Sequence, residues 1–519
     1  MKNKIITKTL IIKLLLLATV LLFFYSLINR PPDVDDAWLG EHAYWQAKLG
    51  FVKSELVNGV TCQNIRFLRQ PELLILHHKL LTLQGALFIN IFGFSLYSLK
   101  SISLIYLILF ITLFYFHTYK KIFTPFEFWL SLLLFLSNTL IFKNSFVFRP
   151  EIAVMTLGFI SYLFICKVLI NSKHHYFFVI LSGLFAGLCV STHLNGIIFP
   201  VAGALLLVWN KKYIQSVIFG FSTIPSMLIY FYDFPSKFNF NSFLYQLSQA
   251  QYAHNKLSDL PFGGSYILNI LNEHLRFFHS PLEISFSILF IVVFVVAFKH
   301  LKTHLNMMRY LFLLVFILSI LAVSKTSKYM IIYFPYLIML TTLSLKYIFT
   351  KNDKDTYISS KLNFKKIKYS VCVLLLIYFI VNTFLNIQIS KEKWTKDENR
   401  YLVQTYIKEN TNNCRIVAPM TFIFNEINNF KSIQSELGYS ELQKDDSTIY
   451  GKGFLNLTKL NSIDYIFLSE HFIHKLRMDN LSISEISACN FQVLLKRKDL
   501  MVLKKINPIT HSHDLKNIP

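Results

Sequence analysis

The feature that most constrains this chain is a train of apolar runs, each near the length a helix needs to cross a bilayer. A spanning helix needs roughly 20 mainly apolar residues, because each residue rises about 1.5 Å and the hydrocarbon core is about 30 Å thick. About eleven segments meet or approach that length: 10–28, 97–116, 126–142, 152–170, 177–192, 197–209, 214–232, 282–298, 310–323, 329–345 and 369–389. Several are short, as interior helices of a large bundle are. Composition agrees with a bilayer as solvent. Of 519 residues, 54% are hydrophobic and only 16% are charged, against about 25% charged in a soluble domain. Disorder, collagen-like structure and a small disulfide scaffold are excluded.

Two N-terminal segments need separate reading. The run 10–28 follows Lys2, Lys4, Lys8 and Lys13 and ends without a small-x-small cleavage site, so it reads as a retained signal anchor. The run 73–94 carries His77, His78, Lys79 and Gln84 and reads as an interfacial helix.

The net charge of +23 would suggest a nucleic-acid partner in a soluble protein. Here the lysines lie in alternate connections. Lys120 and Lys121, Lys167 and Lys173, Lys211 and Lys212, then Lys299, Lys302 and Arg309 follow one another on one side. Lys346, Lys351, Lys354, Lys361, Lys365, Lys366 and Lys368 close the series. This is the positive-inside pattern, and no nucleic-acid partner is expected. It places the N-terminus in the cytoplasm of a multi-pass cell-membrane protein, and an odd number of spans places the C-terminus outside. Were 73–94 a span, every later connection would flip.

Residues 391–519 are polar and of mixed charge. A helix is expected over 397–410, with strands starting at Arg415, Asp464, Phe491 and Leu500 and a hairpin at Lys498-Asp499. The fold class expected is therefore a mainly α polytopic membrane protein with a small C-terminal extracytoplasmic α/β domain. Residues 1–390 form the membrane domain, including a first outside connection at 30–95, and residues 391–519 form the second domain. Cys166, Cys189 and Cys372 lie in spans; Cys62, Cys414 and Cys489 lie outside, where disulfides are permitted. Cys414 with Cys489 is the one pairing within a single expected domain.

The chemistry-bearing residues gather at the outside ends of the spans. Asp33, Asp35, Asp36 and Glu41 follow the first span, ahead of Trp38, Tyr44 and Trp45. An aspartate at a helix start caps free N–H groups, which accounts for one acid but less well for two adjacent ones. Close carboxylates such as Asp35 and Asp36 serve as a general base or hold a divalent metal. Arg149-Pro150-Glu151 opens the fourth span; proline and glutamate suit a helix start, but the arginine runs against the charge bias. His193-Leu194-Asn195-Gly196 joins spans five and six. Lys325 and Lys328, beside Tyr329, again break the bias and suit an anion such as phosphate. Glu41, His78, Lys79, Arg149, Glu151, His193, Lys325, Lys328 and Tyr329 are thus the candidate substrate-binding residues, with Asp35 and Asp36 the candidate catalytic and metal-holding pair.

The ordered set resembles the GT-C superfamily of membrane glycosyltransferases. The resemblance is to bacterial relatives of protein O-mannosyltransferases and of the lipid A aminoarabinose transferase. It rests on Asp35-Asp36-Ala-Trp-Leu-Gly-Glu-His-Ala-Tyr after span one, and on Gly93-Phe-Ser-Leu-Tyr-Ser-Leu-Lys100 before span two. It rests also on Arg149-Pro150-Glu151, and on Gly183-Leu-Phe-Ala-Gly187 running through Thr192-His193-Leu-Asn195-Gly196. It covers roughly residues 10–345. Asp36 stands where many relatives have Glu, and His77-His78-Lys79-Leu80 stands where relatives have a His/Lys-Pro-Pro-Leu motif. The resemblance implies a sugar transfer from a polyprenyl-phosphate donor to a hydroxyl of a glycolipid such as lipid A, another envelope glycan or a protein. It implies inversion at the sugar carbon on the extracytoplasmic face. A transporter or flippase of lipid-linked sugars is a rival reading, weakened by the lack of internal repeats. A polysaccharide polymerase or ligase is another, carried by His254, His274, Arg276 and His279 in the connection 233–280.

Overall fold

A computed structural model describes residues 2–56, 78–231, 262–322, 325–350, 364–394, 398–408, 410–442 and 450–506. His77, Cys62, His254, Ser324 and Lys351, Lys354 and Lys361 lie outside the described residues. The chain is mainly helical and divides into two compact units, Met1–Leu39 with Ile75–Trp394, and Gly40–Leu74 with Thr395–Pro519.

The first unit is a helical bundle of a multi-pass membrane protein. Its helices are α1 (Lys2–Asn29), the start of α2 (Val34–Leu49), α3 (Lys79–Phe92), α4 (Leu96–Thr118), α5 (Pro125–Ser137), α6 (Thr139–Asn144), α7 (Glu151–Leu169) and α8 (His175–Thr192). They continue with α9 (Ile198–Trp209), α10 (Tyr213–Met227), α11 (Phe262–Leu271), α12 (His274–Phe278), α13 (Pro281–Ala297), α14 (Leu305–Leu321), α15 (Phe334–Thr350) and α16 (Phe364–Lys391). The described residues of each of the eleven apolar runs lie mainly in helices. Among the described residues eight helical segments are long and apolar enough to cross a membrane; one of these, Pro281–Leu321, contains both α13 and α14, while Pro125–Ser137 and Leu194–Trp209 are shorter. The interior is set by α7 and by Ser327–Thr350, whose apolar windows are 72% and 89% buried, against 22% for Thr9–Asn29 and Lys365–Lys391. Helices apolar on every face are either buried or lipid-facing, and α1 and α16 are the lipid-facing kind.

Two local features shape the bundle. Gly183 and Gly187 on α8 face α10 so closely that a Cβ at Gly187 would sit 2.3 Å from the Thr223 carbonyl oxygen and 2.9 Å from the Ser226 Cβ. Small residues four apart allow helices to approach where the lipid supplies no hydrophobic drive to associate. The second feature corrects the sequence reading. The run 126–142 is not one helix: it breaks at Asn138, whose side chain accepts from the Leu140 N–H at 3.0 Å and starts α6. A break inside a membrane must satisfy its own backbone, and α16 does this. Asn382 Oδ1 accepts from the Thr139 N–H at 2.8 Å, and Asn386 Nδ2 donates to the Ser137 carbonyl at 2.8 Å. Arg30, at the end of α1, donates to the Lys143 carbonyl at 2.6 Å and the Phe142 carbonyl at 3.2 Å. The irregular stretch that follows α6 delivers Phe148 and Arg149 to the site.

The second unit contains a five-stranded sheet in the order β2-β1-β3-β5-β4, from β1 (Arg415–Ala418), β2 (Ser432–Ser435), β3 (Tyr465–Ser469), β4 (Phe491–Lys496) and β5 (Leu500–Lys505). β1 pairs in parallel with β2 and β3, and β5 runs antiparallel to β3 and β4. The expected strands and the hairpin at Lys498-Asp499 are present, and the expected helix runs Glu398–Tyr406. β2 was not anticipated, because Ser-Ile-Gln-Ser carries no strand pattern beyond one apolar residue. Cys489 is a free thiol, so the Cys414–Cys489 pairing does not form.

Candidate functional site

The site begins with the way α2 starts. Asp33 Oδ1 accepts from the Asp35 N–H at 3.1 Å, and the Asp36 carboxylate accepts from the Asp33 N–H at 2.7 Å. This reciprocal pair is a variant of the capping box, with the Asp33 side chain on the N2 rather than the N3 N–H. It employs Asp33 and Asp36 and leaves Asp35 over, on the first turn with its carboxylate unused by the helix.

Asp36 is completely buried. Besides Asp33 it accepts from the Phe148 N–H at 2.6 Å and pairs with the buried Lys100 Nζ at 3.2 Å. Lys100 donates in turn to the Pro31 carbonyl at 3.1 Å. Burial pushes the Asp36 carboxyl above the usual range, while Lys100 and the two backbone N–H groups hold it down. Asp36 therefore joins α2, α4 and the Phe148–Arg149 stretch.

Asp35 lies at the open end of a charge chain. Its Oδ2 accepts from Arg149 Nη1 and pairs with Lys328 Nζ at 3.5 Å. Arg149 also grips Glu151, with Nη2 donating to Oε1 at 2.6 Å and Nε to Oε2 at 3.1 Å. Burial works against the Arg149 charge, but Glu151 beside it outweighs burial and raises its pKa. The Glu151 side chain is 1% exposed and Arg149 16%, whereas Asp35 and Lys328 are 27% and 31% exposed. The two outer members are thus the more accessible ones.

A stacked histidine pair borders the ions. His78 and His193 lie with ring centroids 4.7 Å apart and planes at 18°, and Tyr329 meets His193 edge-on at 5.5 Å. His193 Nδ1 accepts from the Asn195 N–H at 2.9 Å, which fixes the ring and its tautomer. Burial, reinforced by His78 and partly offset by Glu151, pulls His193 down to about 3. Burial pulls His78 down to about 4. Both rings are neutral near pH 7, so the cations here are Arg149 and Lys328.

The remaining sequence candidates make contacts of their own. Lys325 pairs with Glu273 at 2.9 Å and donates to the Ser319 carbonyl at 2.8 Å. Glu273 also binds the buried Arg276 at 2.6 Å, and Arg276 donates to the Thr326 carbonyl at 3.1 Å and lies 5.6 Å over the Tyr329 ring. Arg276 and Lys325 together hold the short helix Ser327–Tyr333 that carries Lys328 and Tyr329. Lys79 is buried at the start of α3. In the second unit, Glu41 accepts from the Glu55 N–H, from Ser54 Oγ at 2.7 Å, and from the Leu56 N–H and Trp45 Nε1 at 3.1 Å each. Burial raises it to about 7, and its carboxylate closes a turn. Lys100, Glu273 and Arg30 were not singled out as site residues from sequence; the one available signal was a charge inside or beside an apolar run.

A divalent metal does not fit this donor set. Asp36 is spent on Lys100 and backbone N–H groups, and Asp35 already faces two cations. Among the described residues no group of three or more His, Cys, Asp or Glu side chains could hold an ion.

No protein-family model matches the sequence, and no curated protein matches it. Solved structures do. ArnT from Cupriavidus metallidurans bound to undecaprenyl phosphate superposes with a TM-score of 0.54 at 10% identity, covering 94% of this chain and 97% of that one. The apo oligosaccharyltransferase of Archaeoglobus fulgidus superposes with a TM-score of 0.53 at 11% identity, covering 88% and 70%. The oligosaccharyltransferase AglB of the same organism, in complex with an inhibitory peptide and a dolichol-phosphate, gives 0.52 at 10% identity, covering 88% and 69%. The chain has the fold of ArnT and of these oligosaccharyltransferases.

Proposed function

We propose that this protein is an integral-membrane glycosyltransferase that moves a sugar from a polyprenyl-phosphate donor to a hydroxyl of a cell-envelope glycan, glycolipid or protein. The observation that carries the reading is the partly exposed Asp35 carboxylate held by Arg149 and Lys328, in a fold shared with proteins bound to undecaprenyl phosphate or dolichol-phosphate. In the orientation given by the lysine pattern, this site faces outward at the headgroup level, and the second unit is extracytoplasmic.

The chemistry follows from what each group can do. The leaving group is a phosphate monoester, already stable as an anion, so the reaction needs no strong acid. It needs cations on the departing phosphate and a base for the acceptor hydroxyl. Without donor, Arg149 and Lys328 use Asp35 as counter-ion. The donor phosphate takes over that role, and Asp35 is released as a base. Asp35 then accepts the acceptor proton, the acceptor oxygen bonds to the anomeric carbon, and the sugar–phosphate bond breaks with its electron pair leaving on phosphate. Displacement from the far side inverts that carbon. Asp36 and Glu151 are positioning residues: one fixes α2, the other fixes Arg149. Neutral His193, His78 and Tyr329 offer a flat polar surface beside the phosphate.

The test uses purified protein in liposomes with a panel of synthetic polyprenyl-phosphate sugars and envelope extract as acceptor. Mass spectrometry should find one added sugar mass on one acceptor class, with free polyprenyl phosphate as co-product. Consumption of no lipid-linked donor across the panel would overturn the reading.

A further inference from the structure

The ends of the bundle helices remote from Asp35 enclose a second polar site. A cavity of about 450 Å³ opens there, lined by His117, Tyr162, Cys166, Lys302, His304 and Met339 among others. His117 follows Lys100 on α4 by about 17 residues, and Cys166 follows Glu151 on α7 by about 15, so at about 1.5 Å per residue the two sites lie about 22–25 Å apart along these helices. That is most of the thickness of a hydrocarbon core, about 30 Å. The cavity therefore belongs to the opposite interface and plays no part in the Asp35 chemistry.

Its walls suit an anion. His117 and His304 are half-buried, and among the described residues neither imidazole has a hydrogen-bond partner; His117 meets the Phe159 ring edge-on at 6.1 Å. Lys302 is exposed at the rim and makes no ion pair with any described residue. Among the described residues the charged neighbours are cationic, Lys121 and Lys167 beside His117 and Lys346 beside His304. The acid near Lys346 is Glu127, which that lysine already binds at 3.1 Å. Among the described residues no Asp or Glu lines the cavity. The positive-inside pattern accounts for lysines on this side, but not for two half-buried, unpartnered imidazoles, which carry no weight in that rule. Met339, Met307 and Leu305 supply an apolar side of the kind a ligand at a membrane boundary would meet.

We infer that this cavity is a binding site for a phosphate group at the membrane face opposite Asp35, with His117 and His304 as hydrogen-bond donors and Lys302 as the charge. The phosphate arrives either on the headgroup of an anionic phospholipid or free in solution, and two arms separate these. In the first, protein is released into native mass spectrometry from nanodiscs of phosphatidylcholine with phosphatidylglycerol. The wild type should retain one more phosphatidylglycerol than the double variant Lys302→Gln/His304→Gln. In the second, inorganic phosphate is titrated onto protein in neutral detergent, and the melting-temperature rise should need at least tenfold more phosphate in the double variant. His117→Gln, on a different helix, should reproduce whichever loss is seen. A loss in the first arm assigns the headgroup and in the second the free ion. Equal behaviour of wild type and variants in both arms, or no binding by the wild type in either, overturns the site.

Discussion

Asp35 and Lys328 are separated by 293 positions in the chain, and their charged atoms meet at 3.5 Å. The pair forms because the capping box of α2 leaves Asp35 unused and because Arg276 and Lys325 hold the helix that presents Lys328. Both side chains remain partly open, which separates them from the buried pairs around them.

Asp35→Asn should abolish sugar transfer while leaving expression and melting temperature unchanged. The side chain is partly exposed, and removing a general base costs about 10²–10⁴ in rate. A transfer assay with a polyprenyl-phosphate donor reads this directly. An Asn variant with full activity would remove Asp35 from the mechanism.

Asp36→Leu should instead damage the fold. It strands the Lys100 ammonium in a buried position, and breaking one partner of a buried pair costs about 3–5 kcal/mol. The double variant Asp36→Leu/Lys100→Met removes both charges and should recover most of the lost thermal stability. A double variant as unstable as the single one would show that the loss does not come from the stranded ammonium.

Lys328→Ala should raise the donor KM with a smaller effect on kcat, and should do so most at low ionic strength. The Debye length shrinks from about 30 Å at 0.01 M salt to about 8 Å at 0.15 M, so salt already suppresses part of what the substitution removes. Donor KM across a salt series, compared between wild type and variant, checks this. A ratio that does not change with salt would argue against a charge contact with phosphate.

The stacked histidines should make the protein acid-sensitive. His193 at about 3 and His78 at about 4 are depressed from the ordinary 6.5 by burial. Above pH 6.5 both folded and unfolded rings are neutral and the full stability is present. As pH falls below 6.5 the unfolded chain binds protons that the folded one refuses, so stability drops until the folded pKa values are passed. The melting temperature should therefore fall between pH 6.5 and about 4, and His193→Phe should flatten that slope. An identical slope in the variant would mean that other groups carry the effect.

Much of the site was legible as residue types at span ends. Arg149, Lys325 and Lys328 ran against the charge bias, and Asp35 and Asp36 stood together after the first run. The division of labour was not legible. Asp35 and Asp36 are neighbours of the same type, yet one is 0% exposed on Lys100 and the other faces outward. Lys325 and Lys328 are three positions apart, yet one is absorbed by Glu273. Local backbone direction decides each case, and the partner that buries one side chain comes from a remote part of the chain.

The sequence by itself determined that the chain is a helical membrane protein with a small α/β unit, because hydrophobic length and lysine bias act locally and sum along the chain. It also determined which short stretches hold charge where charge is costly. Only the tertiary structure decided which charges are spent on each other. It broke the run 126–142 at Asn138, since Asn382 and Asn386 on α16 are there to satisfy the opened backbone. It set Glu41 against Ser54, Trp45 and the Glu55 and Leu56 N–H groups, and it left Asp35 and Lys328 partly open. Ion pairing depends on distances of a few ångströms between residues far apart in sequence, and that information does not exist until the helices have packed.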